Sequence, residues 1–268
     1  MSKQNLNFKN LLQKLRDTKP LIHNITNYVV MNFTANVLLA LGASPVMAHS
    51  QEEVEDMVSI AQALVINIGT LSPYWVKAMQ LAGGKANKLK IPVILDPVGS
   101  GATKYRTETT KKLIQQIKFS VIRGNASEIL SIQKEKIKTK GVDSIHSSTD
   151  ALDYAIRLAN ELKTVIAITG KVDIVTNGKD TYKIFNGHPL LSYITGTGCA
   201  ATVSIAAFLA CESNPLIATV AGLCFFGLAG EFAFEEAKSP GLYKVKLIDA
   251  LFEISPEYFE KNAKYEKI

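Results

Sequence analysis

Residues 91 to 125, IPVILDPVGSGATKYRTETTKKLIQQIKFSVIRGN, contain two short apolar runs with a longer amphipathic stretch between them. IPVILDP (91–97) and FSVIRGN (119–125) are apolar at consecutive positions, as in strands that are covered on both faces. Residues 104–116 have apolar side chains at helical spacing. A strand, a helix and a second strand of this kind predict a right-handed crossover between parallel strands.

The same alternation continues on both sides of this stretch. ALVINIG (63–69) and TVIAITG (164–170) are further strands, and residues 73–90 and 148–162 have helical spacing. We therefore predict an α/β fold with a mainly parallel central sheet and helices on both faces. KVDIVTNGKDTYKIFNG alternates on both sides of Asn177-Gly178, which predicts a small antiparallel hairpin at one edge. The later part is almost wholly helical, and no linker or repeat divides the chain, so we expect one domain over 1–268.

Composition and charge exclude several classes of function. The chain has 268 residues and a net charge of +6, from lysines scattered over many segments. The densest run, QKEKIKTKG (133–141), indicates a solvated loop or helix face, and no nucleic-acid groove is expected. The positive surplus favours anionic ligands such as nucleotides. The three cysteines form no CxxC pair, so we expect neither a disulfide scaffold nor a zinc site, and a reducing cytoplasm fits best.

No membrane segment is expected. The first 20 residues, MSKQNLNFKNLLQKLRDTKP, alternate charged and apolar residues and predict a short amphipathic helix. Between Pro189 and Glu231 the only charged residue is Glu212, within CESNP (211–215). CESNP divides this segment into two runs, each shorter than the roughly 20 residues that span a bilayer. Two buried core helices are therefore predicted.

Polar residues follow the predicted strands at their carboxyl ends. These ends read Asn67-Ile68-Gly69, Asp96-Pro97, Arg123-Gly124-Asn125 and Thr169-Gly170-Lys171. In an open parallel sheet, ligands bind beyond the carboxyl ends of the strands. We expect the four ends to line one crevice.

Two acids and one base in this crevice suggest a magnesium-bound polyphosphate. Asp96 closes a buried strand, where a carboxylate is costly unless a cation accompanies it. The alternative is that Asp96 only opens an Asp-Pro turn. NASE (125–128) also has a structural interpretation, in which Asn125 caps a helix and Glu128 reaches back in a capping box. Capping alone leaves Arg123 and the second carboxylate unexplained.

Two glycines open a late helix in YITGTGCAATVSIAAF (193–208). The amino terminus of a helix has unpaired amides and a partial positive charge, and Gly196-Thr197-Gly198 would let an anion approach the backbone closely. The pattern also fits the dinucleotide fingerprint GxGxxA. That alternative fails because the pattern lies near residue 200 and no strand ending in an acid follows. No P-loop motif occurs.

Cys199 stands in the first turn of this helix. A thiol there tends to have a lowered pKa, so thiolate chemistry is one interpretation. The other is a small, buried helix residue, as we expect for Cys211 and Cys224. A cysteine hydrolase would need a histidine base. The sequence places none of the four candidates beside Cys199: His23, His49, His146 and His188.

Taken in order, these motifs resemble the ribokinase-like small-molecule kinases, and within them the hydroxyethylthiazole kinase family. The resemblance covers about residues 20 to 230. Its stretches are LIHNITNYVVMNFTANVLLALGASPVMAHSQEEVEDM, ALVINIGTL, VILDPVGSGAT, IRGNASEI, ITGKVDIVT and TGTGCAATVSIAAF. The first stretch, with HNITN followed by SPVMAHS, separates this family from its sugar and pyridoxal relatives.

The resemblance implies a function and a set of site residues. The fold would be ribokinase-like, and the reaction would transfer the γ-phosphoryl group of ATP to the alcohol of 5-(2-hydroxyethyl)-4-methylthiazole, in thiamine salvage. Members of the family are homotrimers with sites at subunit interfaces, so Met47 would complete a neighbour's pocket. The implied roles are Met47, Asn27 and Gly69 for the thiazole; Arg123, Thr169 and Asn125 for ATP; Asp96 and Glu128 for Mg²⁺, partly through water; and Gly196, Thr197 and Gly198 for the anion hole, with the Gly196 backbone also facing the substrate.

One position departs from the wider group. Ribokinase-like kinases have an aspartate base where this chain has Cys199, although cysteine also occurs in the thiazole kinases. The loose transition state of phosphoryl transfer needs little early deprotonation, so we expect Cys199→Ala to keep measurable activity and Cys199→Asp to keep or raise it.

Two other functions remain open. An ATP-dependent dehydratase of hydrated nicotinamide cofactors would share the fold, but an aspartate would be expected at position 199. A non-catalytic ATP-binding trimer would not need both Asp96 and Glu128.

Four residues also have structural interpretations. Met47 could be plain core, Asn24 and Asn27 could cap a helix that starts at 27 or 28, and Trp75 follows Ser72-Pro73 at a helix start, where we expect it to pack.

Overall fold

The structure, a computed structural model, describes residues 6–132 and 148–268; the lysine-rich run at 133–141 and His146 lie outside them. One nine-stranded sheet runs through the described residues, in the order β2-β1-β3-β4-β5-β6-β7-β8-β9. The strands are β1 (Leu21–Ile25), β2 (Ser44–Val46), β3 (Ala63–Asn67), β4 (Val93–Asp96), β5 (Val121–Asn125), β6 (Val165–Thr169), β7 (Asp173–Thr176), β8 (Thr181–Ile184) and β9 (Tyr265–Lys267).

Helices connect the strands and form most of the carboxyl-terminal part of the chain. They are α1 (Phe8–Thr18), α2 (Met31–Leu41), α3 (Val54–Ile60), α4 (Pro73–Leu89), α5 (Lys104–Gln116), α6 (Ala126–Leu130), α7 (Ser148–Leu162), a 3-10 helix (Pro189–Tyr193), α8 (Thr197–Leu209), α9 (Pro215–Glu236), α10 (Pro240–Glu253) and α11 (Pro256–Asn262). The amphipathic helix predicted at the amino terminus is confirmed as α1, which buries Phe8, Leu11, Leu12 and Leu15.

All pairings among strands β1 to β6 are parallel, whereas β6 pairs with β7 in the antiparallel direction. The four strands and three crossover helices predicted from apolar runs are present as β3, β4, β5, β6, α4, α5 and α7. β1, β2 and β9 were not predicted. In the register of the sheet, Asn67 lies opposite Asp96. This pairing brings the ends of β3 and β4 together.

The predicted hairpin is formed by β7 and β8, which are antiparallel. Asn177 turns the chain by accepting hydrogen bonds from the amides of Lys179 and Asp180, and Gly178 has a φ of +90°, which favours glycine. β9 pairs with the outer side of β8, so the hairpin is not the last element of the sheet. The sheet therefore has one more antiparallel strand than the sequence predicted.

The sheet separates two hydrophobic clusters because successive side chains on a strand point to opposite faces. Ile22, Val65 and Ile94 belong to the cluster that includes α1, α2, α8 and α9. Ile66 and Leu95 belong to the other, which includes α3, α4, α5 and α7. Every strand residue of β3 and β4 is buried, which explains their unbroken apolar runs.

The two long apolar helices α8 and α9 pack against each other in the first cluster, as predicted. A Cβ on Gly222 would lie 2.6 Å from Ile205 Cα, so the helices approach closely there. In the part of the chain that the structure describes, α9 is the one helix long and apolar enough to cross a membrane by length and composition. It has 22 residues and is longer than the apolar run before Glu231, because the helix continues past Glu231 to Glu236. Its most apolar window is 83% buried inside the protein, as in a core helix.

Candidate active site

The predicted site residues follow the carboxyl ends of six parallel strands. Because these strands run in the same direction, their ends share one edge of the sheet. The residues concerned are Met47 after β2, Asn27 after β1, Asn67 and Gly69 at β3, Asp96 at β4, Arg123 and Asn125 on β5, and Thr169 on β6. The crevice predicted from the strand ends is therefore a row of polar groups along this edge.

A chain of hydrogen bonds joins three of these strand ends. Asn27 Nδ2 donates to Asn67 Oδ1 at 2.8 Å, and Asn67 Nδ2 donates to Asp96 Oδ2 at 3.0 Å. The Thr202 hydroxyl on α8 also donates to Asp96 Oδ2, at 2.8 Å. Asn67 was expected at the crevice without an assigned role, and Thr202 was not predicted. The position of Asn67, directly opposite Asp96 in the sheet, was the missing signal.

Asp96 is completely buried, and its Oδ1 has no hydrogen-bond partner. Burial raises its pKa from 3.8 to about 6, although the positive charge of Arg123 opposes this. Arg123 Nη1 lies 3.8 Å from Asp96 Oδ2, and both side chains are buried. The carboxylate bonds to Asn67 and Thr202 rather than to the turn after β4, so the Asp-Pro turn alone does not account for it. Asp96 Oδ1 is therefore available as an oxygen ligand in the middle of the row of strand ends.

The Arg123 guanidinium reaches from β5 to two other elements. Its Nη2 donates to the Thr169 hydroxyl, which in turn donates to the Gly124 carbonyl at 3.4 Å. A Cβ on Gly198 would lie only 2.9 Å from Arg123 Nη1, so this glycine allows the guanidinium to lie against the start of α8. Arg123 Nε is buried without a partner. Two of the three predicted ATP-binding residues, Arg123 and Thr169, are thus in contact.

Asn125 and Glu128 form the capping box considered above. The Glu128 amide donates to Asn125 Oδ1 at 2.9 Å, and Glu128 Oε2 accepts from the Asn125 amide at 2.8 Å. Glu128 Oε1 accepts from the Gly99 amide at 2.9 Å, which ties the loop after β4 to α6. Glu128 is also close enough to Asp96 for its negative charge to raise the Asp96 pKa. The structural interpretation of Glu128 is confirmed, and its negative charge also acts on Asp96.

The amino terminus of α8 has unpaired amides, as the glycine turn predicted. Gly196 precedes the helix with a φ of +93°, and a Cβ there would lie 2.7 Å from Val30 Cγ1. Within residues 6–132 and 148–268, the amides of Gly198 and Cys199 donate no hydrogen bond. The Thr197 hydroxyl donates to the carbonyls of Leu191 and Ile194, so it fixes the turn. Two free amides therefore stand next to the Arg123 guanidinium, an arrangement that can bind an anion.

The expected lowering of the Cys199 pKa is wrong. Burial and, after it, the negative charge of Asp96 together raise the pKa of this thiol to about 12, against the opposing hydrogen bond from Asn67. Sγ lies 3.2 Å from Asn67 Nδ2 and 3.7 Å from Asn27 Nδ2. Desolvation and a nearby negative charge thus outweigh the helix amino terminus.

No histidine in the described residues hydrogen-bonds to Cys199. The His23 ring bonds to the Ala48 carbonyl, the His49 ring packs on Trp75, and the His188 ring packs on Phe234. None of the three described histidines therefore supplies the base that a cysteine hydrolase would need, and His146 lies outside the described residues.

The substrate-side residues lie at the β1 and β2 end of the row. A Cβ on Gly69 would lie 2.5 Å from Asn27 Nδ2, so the glycine is needed for the two loops to meet. Met47 directly follows β2 and is half-buried, so it is not plain core. Helix α2 begins at Met31 with Val30 as its cap, so a helix starting at residue 27 or 28 is wrong. Asn27 Nδ2 donates to Asn67, and Asn27 Oδ1 accepts from the Val29 amide at 3.1 Å in the turn before α2.

Two further residues hold these loops in place. Arg106 on α5 was not predicted; it donates to the carbonyls of Ile68 at 3.1 Å and Gly69 and Val98 at 2.5 Å. It therefore joins the loops that follow β3 and β4. Trp75 packs as expected, with its ring 4.8 Å from the ring of Tyr28 and only 3% of its surface exposed.

A separate concavity of about 810 Å³ lies at the amino-terminal ends of strands β4, β5 and β6, opposite the candidate site. Lys90, Lys118 and Lys163 line it, close to the carboxyl ends of α4, α5 and α7. Cations at these positions offset the negative ends of the helix dipoles, so their presence indicates no anion site. The residues of the candidate site lie at the carboxyl ends of the strands.

The chain was compared with known protein families. The model of the "Hydroxyethylthiazole kinase family" matches residues 12–257. The chain belongs to the hydroxyethylthiazole kinase family. A relative from Desulfotalea psychrophila named "Hydroxyethylthiazole kinase" is 55% identical over 264 residues, which cover 98% of this chain and 97% of the relative.

Solved structures agree with this membership and with the ribokinase-like fold. The structure of the hydroxyethylthiazole kinase protein from Pyrococcus horikoshii OT3 has a TM-score of 0.90 and 43% identity, covering 97% of this chain and 98% of that one. An ADP/ATP-dependent NAD(P)H-hydrate dehydratase from Bacillus subtilis has a TM-score of 0.59 and 16% identity, covering 88% and 90%. That second likeness shows the fold alone, so the dehydratase alternative gains no support from it.

Proposed function

We propose that the protein is a kinase that transfers the γ-phosphoryl group of ATP to the hydroxyl of 5-(2-hydroxyethyl)-4-methylthiazole, for salvage in thiamine biosynthesis. Membership of the hydroxyethylthiazole kinase family supports the reaction. The observation that carries it is the meeting of two free amides of α8, the Arg123 guanidinium and the buried Asp96 carboxylate at one point of the sheet edge. This set can hold a phosphoryl group and stabilise its charge during transfer.

Asp96 and Glu128 fit a magnesium ion. Mg²⁺ prefers oxygen ligands and keeps several waters, so one or two carboxylates are enough to hold it. Asp96 offers the unpartnered Oδ1, whereas both Glu128 oxygens already accept backbone amides, which favours contact through water. Within the described residues, no group of three or more His, Cys, Asp or Glu residues could enclose a metal. When bound, the ion would neutralise charge on the β- and γ-phosphates.

The chain's own residues supply positioning and charge stabilisation. Arg123, Thr169 and Asn125 would orient the ATP phosphates, and the turn from Gly196 to Gly198 would accept the transferred group. The alcohol oxygen forms a bond to the γ-phosphorus while the bond from that phosphorus to the bridging oxygen of ADP breaks, and the alcohol releases its proton. The raised pKa of Cys199 keeps its thiol neutral at physiological pH, so we propose no thiolate base.

Asn27, Gly69 and Met47 would border the thiazole. We further propose a homotrimer in which Met47 completes the site of a neighbouring subunit. Large exposed apolar side chains next to the site support this, with Tyr28 67% and Tyr193 72% exposed. The one continuous sheet supports a single domain over 1–268. Three unpaired cysteines are consistent with a cytoplasmic location.

The test is ADP release by the purified protein with MgATP and a panel of alcohols. Hydroxyethylthiazole, hydroxymethylpyrimidine, pyridoxal and ribose form the panel, and mass spectrometry identifies any phosphorylated product. We expect release with hydroxyethylthiazole, together with its phosphate ester. No release with any of the alcohols would contradict the proposal, and the dehydratase reaction would then be assayed.

A further inference from the structure

The Asn67 side-chain amide is fully hydrogen-bonded at the end of β3. Its Oδ1 accepts from Asn27 Nδ2 at 2.8 Å and from the Gly69 amide at 2.9 Å. Its Nδ2 donates to Asp96 Oδ2 at 3.0 Å and to Cys199 Sγ at 3.2 Å. An amide has two donor hydrogens and two acceptor lone pairs, so these four contacts leave none unused.

These contacts fix the orientation of the amide. Turning it over would place Nδ2 against the donors of Asn27 and Gly69 and place Oδ1 against the Asp96 carboxylate. Only 2% of Asn67 is exposed, so water cannot replace a lost partner. The side chain therefore has one stable position.

Three of the four partners divide between the two halves of the proposed site. Asn27 and Gly69 border the alcohol, whereas Asp96 belongs to the phosphate and magnesium half. Asn67 contacts the first half only through its oxygen and the second half only through its nitrogen. A shift of either half is consequently transmitted to the other through this rigid amide, in addition to Arg106, which joins the loops after β3 and β4.

We infer that Asn67 is a positioning residue that holds the alcohol-binding groups in register with the phosphate-binding groups. This inference rests on the proposed function. Asn67 acts through Asn27 and Asp96, so the inference assigns it no contact with the reacting atoms. In-line transfer depends on the distance and angle between the alcohol oxygen and the γ-phosphorus, so loss of this register would lower kcat more than substrate binding.

Two variants distinguish the contacts that Asn67 makes with the alcohol half of the site from those that it makes with the phosphate half. Asn67→Asp keeps an acceptor for Asn27 and Gly69 but removes the donor to Asp96 and places a like charge beside it. Asn67→Ala removes both sets of contacts. Asn24→Ala is the matched control, because Asn24 is a buried amide on the neighbouring strand β1 that bonds to the backbone carbonyls of Ile22 and Val46.

The readouts are kcat, KM, melting temperature and the Kd of hydroxyethylthiazole by calorimetry at pH 8 without nucleotide or magnesium. For Asn67→Asp we expect the Kd to change less than about threefold and kcat to fall on the order of 10²-fold. For Asn67→Ala we expect both to worsen, with kcat again falling on the order of 10²-fold. Asn24→Ala should lower the melting temperature and leave Kd and kcat within about threefold, as for a residue outside the site.

Two results would overturn the inference. One is a kcat for Asn67→Ala equal to that of Asn24→Ala at equal loss of melting temperature, which would make Asn67 merely structural. The other is an equal loss of alcohol affinity in Asn67→Asp and Asn67→Ala. If one Asn67 variant fails to fold, the comparison of the other with Asn24→Ala decides. Failure of the proposed function is distinguishable, because the unsubstituted protein would then phosphorylate no thiazole alcohol.

Discussion

The Arg123 guanidinium lies against the backbone of Gly198, where an added Cβ would be 2.9 Å from Nη1. Gly198 is thus required by a neighbouring side chain and not by its own backbone, which has ordinary helical φ. The contact joins β5 to the first turn of α8 and brings the guanidinium to the unpaired amides. The anion site therefore requires glycine at position 198, because a Cβ there would displace the guanidinium.

Gly198→Ala should weaken catalysis while the protein stays folded. The new methyl group displaces Arg123 from the helix amino terminus, so we expect kcat/KM for ATP to fall at least about tenfold, as for a misplaced charge-stabilising group. Steady-state kinetics and thermal unfolding measure this. Gly84→Ala is the control: a Cβ there meets nothing within 4 Å, so it should leave kinetics unchanged and add about 0.5–1 kcal/mol of stability. Equal kinetics for the two variants would contradict the role of the contact.

Cys199→Ala should keep measurable kinase activity, and Cys199→Asp should keep or raise it. The pKa of about 12 leaves the thiol protonated between pH 6 and pH 9, so no thiolate base is lost in the alanine variant. Because the thiolate is the reactive form, the rate of Cys199 alkylation by iodoacetamide should still be rising with pH at pH 9. Complete inactivity of both variants, with circular dichroism showing intact folding, would make the thiolate essential and overturn this view.

Asp96→Asn should abolish most turnover and flatten the dependence of stability on pH. The folded-state pKa of about 6 is above the ordinary value of 3.8, so the folded protein binds a proton more tightly than the unfolded chain. The free energy of unfolding should therefore fall as pH rises through this range, by about 3 kcal/mol in full at about 1.4 kcal/mol per pKa unit, of which roughly 2 kcal/mol lies between pH 4.5 and 7.5.

Urea unfolding at pH 4.5 and 7.5, without magnesium or nucleotide, measures this difference. Burial also raises the pKa of Asp173 to about 6. This residue should change the free energy of unfolding with pH by the same amount in both proteins, so its effect cancels in the comparison. A slope in Asp96→Asn as steep as in the unsubstituted protein would show that Asp96 is not the group responsible.

Glu128→Gln should raise the magnesium concentration needed for half-maximal activity, in addition to destabilising the protein. The amide can accept only one of the two backbone hydrogen bonds, which costs about 1 kcal/mol, as for loss of a cap. Ser72→Ala is the control, because Ser72 caps α4 by accepting from the Trp75 amide away from the phosphate site. It should cost similar stability and leave the magnesium requirement unchanged. Equal magnesium requirements for both variants would reduce Glu128 to a capping residue.

Mixing two inactive variants should restore activity if Met47 serves a neighbouring subunit. Met47→Glu would disrupt the thiazole pocket of the neighbouring subunit, whereas Asp96→Asn would inactivate the site of the subunit that carries it. After dissociation and random reassembly of equal amounts, a trimer would contain roughly a quarter of intact sites. Activity of the mixture against each variant alone is the measurement, with sedimentation to establish the trimer. No recovery in a reassembled trimer would place Met47 in the site of its own chain.

The parallel core of the fold was predictable because burial on both faces demands consecutive apolar residues. ALVIN and VILD meet this demand, and the helices between them have a different periodicity. β1 was missed because His23 and Asn24 interrupt its apolar run. β2 has only three residues, one of which is proline, and β9 is mostly charged and exposed. Such strands are defined by the partners that they pair with.

By itself, the sequence determined the alternation of strands and helices, the glycine turn before α8 and the polar residue at each strand end, because these depend on local periodicity and on chain direction. Tertiary structure alone decided what those residues do to one another. Cys199 has a raised and not a lowered pKa because the folded chain buries it beside Asp96. Asn67 and Thr202 joined the site because hydrogen bonds connect residues far apart in the chain. Desolvation and hydrogen bonding are properties of the assembled neighbourhood, and the linear order of residues does not contain them.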